Sequence, residues 1–318
     1  GDGGAGILIT GAAGNPIGNT ITQNSTYNNA GLGIDIDARN LILDAEGDGV
    51  NADDNSVTVG TSNGMMDHPV ITVSNLTGST LNLEGYIGTA AGQTAFAGAR
   101  VEFFVSAVDA SGYGEGQTYL GFLIADGNGN FNGTLSVGSL SAAEEITATA
   151  TSMTGPTAGS TSEFGPNHAV NAGPTDINPD GFAVDENLDT SAGHSIGTLT
   201  TSDSDSADLN ESFTYSIQPG LDAMLFTIGG TNGDELILTN GILDFETTPS
   251  YAVIVRVTDS GGLFYADPPT VHVNDPPAPP INRTEHKDGS QFSAIRSALR
   301  RSSSEISAGC ASRFSSNS

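Results

Sequence analysis

Short apolar runs of four to eight residues, each closed by a turn, recur along most of this chain, and that rhythm leaves room for strands rather than long helices. Between about residues 65 and 170 the runs fall at 70–73, 81–87, 100–107, 119–124, 131–137 and 146–151, roughly 10 to 18 residues apart. Leu81-Asn82-Leu83 and Val101-Glu102-Phe103 alternate with period two, which turns one face of a strand toward a core. Turns such as Asp126-Gly127-Asn128-Gly129 punctuate the runs, and 42 glycines with 14 prolines supply the breaks. The expected fold class is all-β.

Charge narrows the function. The net charge is −28, and residues 1–280 hold only Arg39, Arg100 and Arg256 against 34 acids. A surface this acidic repels phosphate, so nucleic acid is excluded as a partner of the main body. No apolar run approaches the ~18 residues of a membrane span. The one cysteine, Cys310, allows no internal disulfide. An acidic β chain with a single lysine and no disulfide fits a large exported bacterial protein, and an extracellular or cell-surface location is expected.

The first 43 residues carry pulses at Ile7-Leu8-Ile9, Ile17, Ile21 and Gly31-Leu32-Gly33-Ile34-Asp35-Ile36. Ile9, Ile21 and Ile34 are 12 and 13 residues apart, a stacking interval for a β solenoid. With Gly18-Asn19-Thr20-Ile21-Thr22-Gln23-Asn24, the stretch resembles the last coils of a right-handed parallel β-helix; a pair of ordinary hairpins is the alternative. Residues 44–64 read as an acidic linker. In 65–170, Val101-Glu102-Phe103-Phe104, then Gly112-Tyr113-Gly114-Glu115-Gly116-Gln117-Thr118-Tyr119-Leu120-Gly121, then Ile146-Thr147-Ala148-Thr149-Ala150 resemble the immunoglobulin-like sandwich that often follows bacterial β-helices. Residues 276–318 open on a proline-rich run and become basic and Ser/Arg-rich. Phe292, Ile295 and Leu299 could line a short amphipathic helix there, but a disordered tail is the expectation.

Residues 171–275 read as a second sandwich, with strands at 196–201, 212–217, 225–228, 236–238, 251–258 and 270–273. Its motifs come in a telling order. Val184-Asp185-Glu186-Asn187 leads to Ile196-Gly197-Thr198-Leu199, Ser202-Asp203-Ser204-Asp205 and Phe213-Thr214-Tyr215-Ser216-Ile217. Leu243-Asp244-Phe245-Glu246, Val255-Arg256-Val257-Thr258-Asp259 and Val271-His272-Val273-Asn274-Asp275 complete the series. It resembles a bacterial cadherin-like repeat. That resemblance implies two calcium half-sites, one at each end of the sandwich. The downstream half takes Glu186, Asp244, Glu246, Asn274 and Asp275; the upstream half takes Asp203, Asp205 and Asp259 with Asp176 and Asn178. Calcium takes six to eight oxygen ligands, and carboxylates clustered without a cation repel one another. The competing reading has these acids capping turns and solvating loops.

Catalysis is not expected. Asp35 and Asp37 share a face of a strand, the arrangement of a glycoside hydrolase pair, but only Arg39 stands near them in sequence. The histidines (68, 168, 194, 272, 286) lie singly, without metal-ligand spacing. Asp44, Glu46, Asp48 and Gly49 begin an acidic calcium loop whose twelfth position is Asn55 rather than Glu, so a solvated linker is expected there. The expected function is a non-catalytic fragment of an exported adhesion protein, binding calcium and contacting other cell-surface proteins or glycans. Its alternative is the accessory end of a secreted β-helix carbohydrate-active enzyme.

Overall fold

The computed structural model describes residues 4–11, 16–37, 47–107, 110–186, 188–220, 222–239 and 243–276. Arg39, Asp44, Glu46, Asn187 and the whole tail from 277 lie outside the described residues. Among the described residues the chain is all-β, with several small sheets, and no helix is long and apolar enough to cross a membrane.

Two strands, β1 (Ile7–Thr10) and β2 (Ile34–Asp37), pair in parallel with Ile7 opposite Ile34. This is one turn of 27 residues, and among the described residues no further coil forms a solenoid. Ile21 lies on no strand. Its stretch runs along the neighbouring sandwich, which takes the backbone donors a second coil would have used. Gly18 N–H donates to Ser160 Oγ at 3.0 Å, Ile21 N–H to Thr161 Oγ1 at 2.9 Å and Thr26 N–H to the Gly116 carbonyl at 2.8 Å. Ile9, Ile34 and Ile36 pack with Phe104 and Phe164, so the coil shares a core with the sandwich.

That sandwich is built from β3 (Pro69–Thr77), β4 (Thr80–Ile87), β5 (Arg100–Ala107), β6 (Glu115–Ile124), β7 (Asn130–Ser136), β8 (Glu145–Thr151), β9 (His168–Ala169) and β10 (Asn171–Ala172). One sheet runs in the order β10-β3-β4-β7 and the other β6-β5-β8-β9. Leu81, Leu83, Ile87, Val101, Phe103, Phe131 and Ile146 fill the space between them. Phe103 and Phe131 meet edge to face with centroids 5.4 Å apart. The segment 168–172 changes sheet: β9 is antiparallel to β8, and β10 is parallel to β3. Phe131→Ala removes a side chain that is 2% exposed. It is expected to cost about 4 kcal/mol, read as a lower urea midpoint with an unchanged slope.

Of the acidic linker expected at 44–64, residues 47–64 are described, and they are tied to the neighbouring elements. Buried carboxylates hold their backbone: Asp67 Oδ2 accepts from Asp54 and Asn55 N–H, and Glu163 Oε2 from Asn51 N–H at 2.8 Å. Asp35 accepts from Asp48 and Gly49 N–H. Asp35 and Asp37 are each 1% exposed, so the pair considered for hydrolysis is closed in and not set in a cleft.

The second sandwich holds β11 (Asp176–Asn178), β12 (Gly181–Asp185), β13 (His194–Thr198), β14 (Thr200–Ser202), a one-turn helix α1 (Ser206–Leu209), β15 (Thr214–Gln218), β16 (Phe226–Gly229) and β17 (Glu235–Leu238). It ends with β18 (Ser250–Ala252), β19 (Ile254–Thr258), β20 (Phe264–Asp267) and β21 (Thr270–Asn274). Its first strand β12 lies parallel to its last, β21, while β15-β19-β20 and β13-β17-β16 are antiparallel. Phe182 and Val184 point inward from β12 and meet Leu199, Leu236, Leu238, Val255, Val257, Val271 and Val273.

Candidate metal centres

The upstream cluster forms where β14, β19 and β10 end close together. After Ser202 the chain turns through Asp203 and Asp205 into α1. The Asp205 carbonyl accepts from Asp208 and Leu209 N–H, and Asn210 closes the turn in the left-handed region at φ 51°. Glu211 follows directly. Asp259 opens the β19–β20 hairpin, where its Oδ1 accepts from Leu263 N–H at 2.8 Å. The carboxylates of Asp203, Glu211 and Asp259 each offer an oxygen, all within 4.8 Å of one another. Asp205 is fully buried beside them, and its Oδ2 accepts from Ala172 N–H at 2.7 Å.

Five other oxygens of the cluster find no donor among the described residues. Both oxygens of Asp203, Oδ1 of Asp205, Oε2 of Glu211 and Oδ1 of Asn171 are buried and accept no hydrogen bond from the described residues. Buried oxygens are normally paired, because leaving one unpaired costs about 1–3 kcal/mol. The electrostatics carry the same message. Burial, then Asp205, pushes the Asp203 carboxyl up to about 7; burial, then Asp259 and Asp205, raises Glu211. A donor set made only of carboxylate and amide oxygens fits a hard divalent cation such as calcium.

The downstream cluster is shallower. Glu186, Asp244 and Glu246 offer oxygens within 4.8 Å of one another, with Glu186 half-buried and the other two exposed. Glu186 is set by two contacts: its N–H donates to the Asn274 carbonyl at 3.1 Å, and its Oε2 accepts from Phe245 N–H at 3.2 Å. The Thr247 hydroxyl donates to Asp244 Oδ2 at 2.6 Å and holds that carboxyl below its ordinary range. Asn274 turns its amide to Asp185 Oδ1 at 3.1 Å, and Asp275 is exposed and outside the group of three carboxylates.

Asp176 and Asn178 lie elsewhere. Antiparallel pairing sets Asp176 opposite Ser202 and Asn178 opposite Thr200. Asp176 Oδ1 accepts from Ile177 N–H, and the Asn178 amide donates to Ser202 Oγ. The same pairing carries the chain back so that Asn171, not Asp176, reaches Asp259; its Nδ2 lies 3.4 Å from Asp259 Oδ2. Asn171 and Glu211 were absent from the expected ligand set, and nothing in their spacing marks them.

Other expected loops resolve simply. Asp126 Oδ1 accepts from Asn128 and Asn130 N–H, which makes that stretch a hairpin turn. His68 Nδ1 sits 3.1 Å from Asp53 Oδ2, and His168 Nδ1 2.8 Å from Ser74 Oγ; neither joins a carboxylate cluster.

A protein-family model described as Cadherin domain matches residues 181–274. Among solved structures, Drosophila N-cadherin EC1-4 is 16% identical, with 66% of this chain and 51% of that one covered and a TM-score of 0.27. The protocadherin GammaB4 extracellular domain is 16% identical over 66% of this chain and 32% of its own, with a TM-score of 0.25. Mouse cadherin-23 EC22-24 is 14% identical over 65% and 67%, again at 0.25. The chain thus spans about half of the first of these structures and about a third of the second. The matched residues begin at β12 and end at β21, so they enclose the whole downstream carboxylate cluster and, of the upstream one, Asp203, Asp205, Glu211 and Asp259. The second sandwich of this chain is a cadherin-like domain.

Proposed function

We propose that this chain is a non-catalytic part of a large exported surface protein, working in adhesion, whose cadherin-like domain binds calcium. The observation that carries the reading is the group of buried, donorless oxygens on Asp203, Asp205, Glu211 and Asn171 around Asp259. A calcium ion supplies the positive charge those oxygens lack. The domain order behind this reading is terminal β-helix coils at 1–43, an acidic linker at 44–64, an Ig-like sandwich at 65–170, the cadherin-like sandwich at 171–275 and a Pro-rich, then basic Ser/Arg-rich tail at 276–318. Glu186, Asp244 and Glu246 form a second half-site, to be completed by groups beyond the sandwich. Partners are other cell-surface proteins or glycans, and the location is extracellular.

Thermal unfolding of the full chain, with calcium titrated against EDTA and magnesium as the control, tests the calcium step. A ligand that binds only the folded state adds about 2.7 kcal/mol at a hundredfold excess over Kd. The expected result is a calcium-specific rise in melting temperature that Asp205→Ala removes. No shift at millimolar calcium would overturn the reading and leave a spacer without a ligand.

A further inference from the structure

The upstream cluster is reached by a side chain that belongs to neither the cadherin-like domain nor its entry strand. Asn75 lies on β3 of the first sandwich, opposite Asn171 in the parallel β10–β3 pair. Its Oδ1 accepts from Asn171 Nδ2 at 3.3 Å, and its own Nδ2 donates to the Gly261 carbonyl, also at 3.3 Å, in the β19–β20 hairpin. Asn75 therefore ties the two elements that deliver Asn171 and Asp259. Asn171 is 7% exposed, and with its Nδ2 between Asn75 and Asp259 its Oδ1 finds no donor among the described residues. Gly261 makes room for this: a Cβ there would run into the Asn171 amide, 2.7 Å from its Cγ. One residue further along, Ala172 pairs with Leu76 of β3 and donates its N–H to Asp205. The short strand β10 is thus held on one side by the first sandwich and on the other by the carboxylates of the second.

We propose that Asn75 is a positioning residue for the upstream cation site, orienting the Asn171 amide so that its carbonyl oxygen serves as a ligand, and that cation binding in turn fastens β10 onto the edge of β3. This rests on the calcium reading above. It adds a contribution from the first sandwich, about which the family match at 181–274 says nothing. An occupied site pulls on Asn171, a residue of β10, and on Asp205, which accepts from Ala172 N–H, so part of the binding free energy appears as protection of the first sandwich's edge.

The test uses the full chain. Calcium affinity is measured by calorimetry, and amide hydrogen exchange is followed in EDTA and in calcium. In the wild type, calcium is expected to slow exchange at residues 75–77 and 171–172. Asn75→Ala is expected to weaken calcium binding roughly 10-fold, the effect of losing a supporting partner of a ligand, beyond whatever fall in melting temperature the two lost hydrogen bonds cause in EDTA. Asn75→Asp keeps the acceptor for Asn171 but loses the donor to the Gly261 carbonyl, so it should bind calcium more tightly than Asn75→Ala. Gly261→Ala displaces the Asn171 amide from the other side and should reproduce the loss should Asn75→Ala fold poorly. Wild-type calcium affinity in both Asn75→Ala and Gly261→Ala, or edge-strand exchange that ignores calcium, overturns the proposal while leaving the calcium site standing. A wild-type chain that binds no calcium overturns both.

Discussion

Lowering the pH from 8 to 5 in EDTA is expected to stabilise the first sandwich and the coil packed on it. Glu163 is 3% exposed and accepts three hydrogen bonds, from Ile36 N–H at 2.8 Å, Asn51 N–H at 2.8 Å and the Asn51 amide at 2.7 Å. Burial nonetheless outweighs those bonds and pushes its carboxyl up to about 7. Burial, then Asp67, raises Asp53 to about 7, while burial lifts Asp35 and Asp67 to about 6. In the unfolded chain all four titrate near 4. The folded state therefore holds more protons between about pH 4 and 7. The stability these groups contribute is fully present below about pH 4 and is lost as pH rises through 6 and 7. For Glu163 alone the difference amounts to about 3 kcal/mol. Hydrogen exchange at β4 and β5 amides, at pH values from 5 to 8, reads this sandwich separately from its neighbour. The net charge of −28 acts in the same direction, so Glu163→Gln separates the two: it should flatten the slope, and it costs stability at pH 5 because an amide cannot accept all three bonds. Stability that climbs from pH 5 to 8 in the wild type would refute the assignment.

Much of this fold is legible in the residues, and what is not has physical causes. Period-two alternation at Leu81-Asn82-Leu83 and the apolar run at 131–137 locate β4 and β7, because one face of each meets the core. β9 and β10 are two residues each, and β10 pairs with residues almost a hundred positions earlier, so no local pattern announces them. The stretch at 44–64 reads as an acidic linker since its acids are dense. Its burial depends on carboxylates finding backbone donors, and which donors come near is a tertiary fact. The 12- and 13-residue spacing around Ile21 misleads for the same reason: Thr161 and Ser160 take the donors of that segment. In the carboxylate clusters, the cadherin-like resemblance names Asp203, Asp259, Glu186, Asp244 and Glu246, and the structure groups their oxygens in two places. Glu211 follows a one-turn helix and Asn171 belongs to a strand of the preceding sandwich, so neither carries a sequence signal.

Asp203→Asn is expected to act in opposite directions with and without calcium. In EDTA the wild-type cluster brings the oxygens of Asp203, Glu211 and Asp259 within 4.8 Å, with Asp205 fully buried alongside. Two unit charges at that distance repel by about 3 kcal/mol at a surface-like dielectric. The raised Asp203 carboxyl, at about 7, is the response to burial and to that repulsion. Asparagine has nearly the same shape, keeps one oxygen and removes the charge. The melting temperature in EDTA at pH 7.5 should therefore rise by roughly 4 °C or more, the shift expected for about 1 kcal/mol in a domain of this size. In calcium the lost charge is decisive, since a cation site draws its affinity from the number of carboxylates. Binding should weaken by more than about 100-fold, beyond what removing a supporting residue does. The calcium-dependent rise of the wild type should then nearly vanish in the variant, and the two melting curves should cross as calcium is added. A turn-capping Asp203 predicts another pattern: Asp203→Asn would lower stability equally in EDTA and in calcium, because a cap contributes the same hydrogen bonds in both. That parallel loss would remove Asp203 from the site. Crossing curves require a cation among these carboxylates, because repulsion that a mutation relieves in EDTA can become affinity only when a positive charge occupies the space between them.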